Sequence, residues 1–473
     1  MGSLPSPQNI NKSKAMVLSS ISSRGLYRVA VEAGSPVASA LRSRENSADG
    51  SFRTVEIKSG PPEAMVSLAI EAGAHLLISA SSSGRGGLVA RWILHYDGSR
   101  ERKRKESPFL VFEPHSFFLT GDNLEEKSAD FAICMVMLEM AQHKEILNSA
   151  GRWTDPPFQW LAGMAHLLTH SPKKAFAAFN QIPYVDEGMP EEETLFKSGM
   201  VNSAISLLQT ALDETDTQQG PFTTNETEER EKPDALAQVL AMLDALAESV
   251  VPAKEPELAG MIRYNLGRAS LAAGRGMERA IAEYRAALEV SPQISAHAEA
   301  ACATALAGAL FNISHESTPG SAERLTEAET LANHAMLVYS RDNQPAAWAS
   351  THSLLGMILA AAAELVSGTE RVGKLARAVD SFSLAVEEMG GGQAQVKERW
   401  AVAMMGLCGA LVALGATVGN ERGLGFVDEA LALLDDAEPR LSTMPGLGLA
   451  DNVQLGRAGA LIVKKQIQGS LSV

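Results

Sequence analysis

The sequence predicts an all-α chain: an α-solenoid of antiparallel helix pairs in elongated repeats of about 50 residues, behind a poorly assigned, partly disordered N-terminal segment. Three observations predict it. Hydrophobic residues make up 45% of the 473 residues but aromatics only 5%, a balance that suits close-packed helices over sheets. Small residues recur at near-constant intervals: Ala280, Ala328, Ala378 and Ala430 are 48, 50 and 52 residues apart. Around each of them the order is the same, a glycine before and two further apolar residues after, four and seven positions on.

Taken in order, residues 1–60 are rich in Ser, Gly and Asn with scattered Lys and Arg, and read as a disordered basic segment with at most a short helix near Leu26–Leu41. Met1-Gly2-Ser3-Leu4-Pro5-Ser6 formally fits an acylation pattern, and the basic, Ser-containing stretch from Lys12 to Arg44 has the composition of a mitochondrial presequence. Residues 61–120 form a small region of uncertain structure. Pro61-Pro62 precedes a helix from Glu63 to about Ala72, Ser79–Gly87 is a loop, and Val89–Tyr96 and Phe109–Phe112 are strands or helix fragments around a polar turn. From 121 to 465 the pattern is helical, interrupted by a polar loop at 213–232 that has few apolar residues to anchor it.

The best-defined repeat runs from Met261 to Pro292. Leu266-Gly267 lies on a first helix, a turn follows at Gly274–Gly276, then Ala280, Tyr284 and Ala287 on a second helix, and Pro292 closes the unit. This resembles the tetratricopeptide signature, in which a Leu-Gly pair is followed by a small residue, an aromatic, another small residue and a proline. The physical sense is direct. Small residues let two antiparallel helices approach, and the aromatic on the same face fills the space between them. Gly163, Ala175 and Phe179 repeat the order, with Trp160 on the first helix; Gly356 is followed by Ala378, Phe382 and Ala385. Gly409 is followed by Ala430, Leu434 and Ala437, and Gly308 by Ala328, Ala332 and Ala335 without an aromatic. The last three units carry 20–22 residues between Gly and Ala where the Gly163 unit has 12, so their hairpins are longer.

Charge and cysteines narrow the function classes. Residues 1–106 hold 15 Lys+Arg against 9 Asp+Glu, whereas the whole chain carries a net −15, so the helical body is acidic and ill suited to binding nucleic acid across its surface. Arg100-Glu101-Arg102-Lys103-Arg104-Lys105 is the exception, a run that serves as a nuclear-import or nucleic-acid contact or as a solvated loop. Cys134, Cys302 and Cys408 are far apart and make no CxxC pair, which points away from a disulfide framework and toward a reducing compartment. Ala346–Ala363 and Trp400–Gly419 lack any charge, but both are Ala/Gly-rich and occupy corresponding places in the repeat, so they read as buried helices.

The search for chemistry returns little. Gly84-Arg85-Gly86-Gly87 is neither a phosphate loop nor a dinucleotide fingerprint, and no Gly-x-Ser-x-Gly elbow occurs. His166 and His170 would share a helix face, but no acidic residue follows His166 as a zinc-protease motif requires. Cys408, in an Ala/Gly helix, reads as a small buried hydrophobe. The expectation is therefore a protein that is not an enzyme, with no catalytic, metal or cofactor residue.

The expected function is a scaffold or adaptor, cytoplasmic by default, that binds other proteins; a mitochondrial assembly factor and a chromatin-associated factor using residues 100–105 are the alternatives. The resemblance implies that partner helices or peptides lie against the first helix of each unit, near the Leu-Gly pair. On this chain that gives Trp160, Met164, Tyr264, Arg268, Met357 and Ala410 as contact candidates. Only Arg268 among them is charged, so a clamp for a terminal carboxylate is not expected, and the expected occupant is apolar. The residues expected to pack the helix pairs are Gly163, Ala175, Phe179, Gly267, Ala280, Tyr284, Ala287, Gly356, Ala378, Phe382 and Ala385.

Overall fold

The structure is a computed structural model that describes residues 27–45, 52–72, 74–80, 87–92, 116–120, 122–139, 146–148, 151–169, 171–183, 190–216, 233–274, 276–314, 319–390, 396–441 and 449–472. The chain divides into two compact units, the first reaching Thr210 and the second running from Ala211 to the end. Most described residues are helical, but the first unit contains a sheet.

That sheet departs from two expectations: the chain is not all-α, and within the segment expected to be disordered Tyr27–Glu32 and Phe52–Ile57 are strands and Pro36–Glu45 is a helix. Among the described residues its five strands are β1 (Tyr27–Glu32), β2 (Phe52–Ile57), β3 (Leu76–Ala80), β4 (Leu88–Trp92) and β5 (Ser116–Leu119), in the order β2-β1-β3-β4-β5. β2, β1 and β3 are parallel, and β4 and β5 close the sheet antiparallel. Helices α1 (Pro36–Glu45) and α2 (Pro62–Glu71) connect the parallel strands. The physical reason lies in β1 itself. Val29 and Val31 face one side, where they meet Val37 and Leu41 of α1; Ala30 faces the other, with Met65 and Ala69 of α2. A strand buried on both faces needs only a short apolar run, and its pairing partners come from elsewhere in the chain. In a Ser- and Gly-rich context that run is easily missed.

Among the described residues, four longer helices follow in the first unit: α3 (Leu124–Glu139), α4 (Pro156–Leu168), α5 (Pro172–Phe179) and α6 (Pro190–Asp216), the last of which ends just past the unit boundary. α4 and α5 form the Gly163 hairpin, so the helical body does not begin as one domain at residue 121. Phe117 of β5 lies 5.0 Å from the Trp160 ring and 5.1 Å from Phe131 of α3, placing that hairpin in the core of the sheet. Lys127, buried in α3, donates to Thr120 O at 2.8 Å and to Asp155 Oδ1 at 2.8 Å, just before α4. Asp130 accepts from Trp153 Nε1 at 3.1 Å and pairs with Arg44 of α1 at 3.1 Å. Both buried charges are thus hydrogen-bonded and paired, as burial requires.

The second unit is wholly helical among its described residues: α7 (Pro233–Ser249), α8 (Pro256–Ala272), α9 (Met277–Val290), α10 (Ala296–Ser314), α11 (Ser321–Ala335), α12 (Pro345–Glu364), α13 (Gly368–Gly390), α14 (Val396–Val418), α15 (Glu421–Leu441) and α16 (Leu449–Leu471). Each packs on the next, and alternate helices α10, α12, α14 and α16 also touch, an arrangement consistent with a helical repeat. Gly274, at φ +62°, supplies the left-handed residue in the α8–α9 turn. α12 and α14 are long and apolar enough to cross a membrane by length and composition, and 56% and 50% of their apolar windows are buried inside the protein. The polar stretch 213–232 begins inside α6; 217–232, like residues 1–26, 100–105, 109–112 and His170, lie outside the described residues.

Candidate functional site

Packing positions come first, because they fix which faces remain. An ideal Cβ built on Gly163 would lie 2.6 Å from the Phe179 ring, one on Gly267 2.6 Å from Tyr284, and one on Gly356 2.8 Å from Phe382. The aromatic of each second helix thus rests directly on the glycine of the first. Ala175, Ala280, Ala287, Ala378 and Ala385 are all fully buried. Phe382 is held on both sides, since a Cβ on Gly406 of the following helix would lie 2.5 Å away.

Two aligned glycines behave differently. A Cβ added to Gly308 or Gly409 would have nothing within 4 Å, so neither marks a helix contact. The close approach in the α14–α15 pair is instead at Gly415 and Gly423, where a Cβ on Gly415 would lie 2.7 Å from Gly423 O. Where Leu434 or Ala332 replaces the aromatic, no ring demands a glycine opposite.

The six contact candidates separate into two groups. Trp160 and Met164 are core residues of the first unit; Trp160 is fully buried, and its Nε1 donates to Ser198 Oγ at 2.9 Å. Ala410 is also buried. These three have no surface to offer, because the face that the resemblance assigns to a partner is taken by the protein's own core. Tyr264, Arg268 and Met357 are half-buried. Tyr264 packs on Tyr284, with centroids 5.6 Å apart, and burial raises its phenol pKa. Arg268 Nη1 donates to Asn265 Oδ1 at 3.2 Å.

The sequence reading missed an asymmetry between the helix rows. Second helices carry ion pairs from one pair to the next: Arg285 of α9 reaches Glu327 of α11 at 2.8 Å, and Glu329 of α11 receives Arg377 at 2.7 Å and Lys374 at 3.5 Å, both from α13. The first helices α12 and α14 carry no charge over Ala346–Ala363 and Trp400–Val418. The signal was in the sequence, as the strong amphipathicity of α13 and α15 beside the long uncharged stretches of α12 and α14.

Reactive groups are few. The three cysteines are buried, and desolvation pushes the Cys302 and Cys408 thiols up to about 12. His166 has its pKa lowered by partial burial and then by Lys174. Among the described residues no group of three or more His, Cys, Asp or Glu side chains could hold a metal ion. Comparison with protein-family models gave no match, and comparison with curated proteins gave none.

Proposed function

We propose that the protein is a non-enzymatic interaction scaffold whose second unit is a tetratricopeptide-like solenoid that receives an apolar helix or peptide along the row of first helices. The observation that carries this reading is the division of labour between rows. Second helices α9, α11 and α13 exchange ion pairs on their outer faces; first helices α12 and α14 are uncharged over Ala346–Ala363 and Trp400–Val418, and the first helices α8 and α12 keep half-buried apolar side chains such as Tyr264, Leu271, Met357 and Ala360, beside the charged Arg263 of α8, which pairs with Glu283. A row of that kind suits a partner recognised by shape and apolar contact, with small residues admitting a close backbone. Arg268 is the one charged group among the candidates and would fix the register of the occupant.

The test places a photo-crosslinking amino acid at Met357 or, as the control, at Arg285 in the full-length protein. Adducts to another polypeptide are expected from position 357 and not from 285. Equal adducts from both, or adducts from 285 alone, exclude the first-helix row as the contact surface.

A further inference from the structure

The first unit contains a cavity that the scaffold reading does not use. In the order β2-β1-β3, the chain leaves β1 toward one side of the sheet and leaves β2 toward the other, so the carboxyl ends of β1 and β3 flank a crevice where the strand order reverses. A cavity of about 230 Å³ lies there, lined by the ends of both strands, the start of α1, the start of α3 and Leu88 of β4. It is below the usual range of about 300–1,000 Å³ for drug-sized ligands, so it suits a small metabolite.

The lining decides the chemistry. Val31, Val37, Ile78, Leu88 and Leu124 make an apolar body; Ser35, Ser79, Glu32 and Glu125 supply the polar atoms. Among the described residues, the charged ones of this lining are both carboxylates, Glu32 and Glu125. Two helix N-termini meet here, and both are poorly suited to a phosphate. Pro36 opens α1 and has no N–H to give, and the Ala38 N–H is held by Ser35 Oγ at 3.2 Å. The first turn of α3 already carries Glu125 and Glu126 against its dipole. An anionic ligand would meet like charge at both ends, whereas an ammonium group would meet opposite charge, from the half-buried Glu32 and the exposed Glu125.

We propose that this cavity binds a small organic amine, its apolar body against Val31, Ile78, Leu88 and Leu124 and its ammonium group at Glu32 and Glu125. The full-length protein is titrated calorimetrically with 2-phenylethylamine, with 3-phenylpropionate, which has the same skeleton ending in a carboxylate, and with AMP. The amine should bind, with weaker binding at high salt, and the two anions should not. Glu32→Gln should weaken amine binding about tenfold or more, and Leu124→Trp should abolish it by filling the space. Circular dichroism checks each variant; Glu125→Gln, at an exposed position, replaces either one that does not fold. Failure of the amine to bind at low millimolar concentration overturns the proposal. So does binding of phenylpropionate or AMP as tight as that of the amine, or amine binding indifferent to the substitutions.

Discussion

At the scale of single residues, the glycine–aromatic contacts make the sharpest predictions. Gly267→Ala places a methyl where the Tyr284 ring now lies, 2.6 Å from Cε1, and the ring is itself buried between helices. Overpacking of this kind costs about 1–3 kcal/mol, which urea denaturation will show as a lower midpoint. Gly409→Ala is its internal control: nothing lies within 4 Å, and removing a glycine from a helix interior gains about 0.5–1 kcal/mol. If both substitutions shift the midpoint in the same direction, the assignment of close approaches is wrong. The cysteines give a pH-dependent counterpart. Cys302 and Cys408 are held as neutral thiols to about pH 12, against an ordinary value of 9.0. The folded state therefore binds more protons than the unfolded chain between those limits. Their contribution to stability is complete below pH 9 and is lost as pH rises through 9 toward 12. In the native protein both thiols should resist iodoacetamide at pH 8 and react once urea unfolds the chain; prompt native alkylation at either position would contradict the burial.

At the scale of elements, legibility followed locality. Gly267, Ala280 and Tyr284 lie within one hairpin, so the contact they make is written in consecutive sequence. Gly163 with Phe179 and Gly356 with Phe382 were readable for the same reason. The Gly415–Gly423 contact is equally local, but without an aromatic it has no distinctive signature, and the pattern settled on Gly409 instead. The sheet was hardest, because β1 is stabilised by β2 and β3 across the chain, and a six-residue strand flanked by Ser and Gly carries almost no local signal. The contact candidates failed where the fold context changed: Trp160 occupies a first-helix position, but in the first unit that face is covered by β5. Ion pairs between second helices lie beyond any single hairpin. They are not equal. The Arg285–Glu327 pair is exposed at both ends, with side chains 51% and 40% accessible, and Arg285→Ala should cost no more than about 0.5 kcal/mol. Glu329 is 17% accessible and meets two cations, so Glu329→Gln should cost about 1 kcal/mol and lose most of that cost in molar salt. A salt-independent loss would assign the effect to packing.

At the scale of the whole molecule, the chain builds two cores by different rules. The first is a layered core in which a sheet gathers residues from Val29 to Leu195, so distant segments support one another. In the second, each helix from α7 to α16 packs mainly on its sequence neighbours, consistent with a helical repeat; on the proposed solenoid reading, stability there would be approximately a sum of local terms. That difference can be measured within the second unit. Phe382 is clasped between Gly356 of α12 and Gly406 of α14, and Phe382→Ala removes the ring from both contacts at once, at a cost of about 3–5 kcal/mol. In a globular core such a loss would be shared by the whole fold. In a linear array it should be confined, so hydrogen exchange should accelerate strongly in α12, α13 and α14 and fall off with distance, leaving α8 and α9 near their native protection. Uniform deprotection from α8 to α16 would mean that the unit unfolds as a single cooperative block, and the additive description of its stability would have to be abandoned.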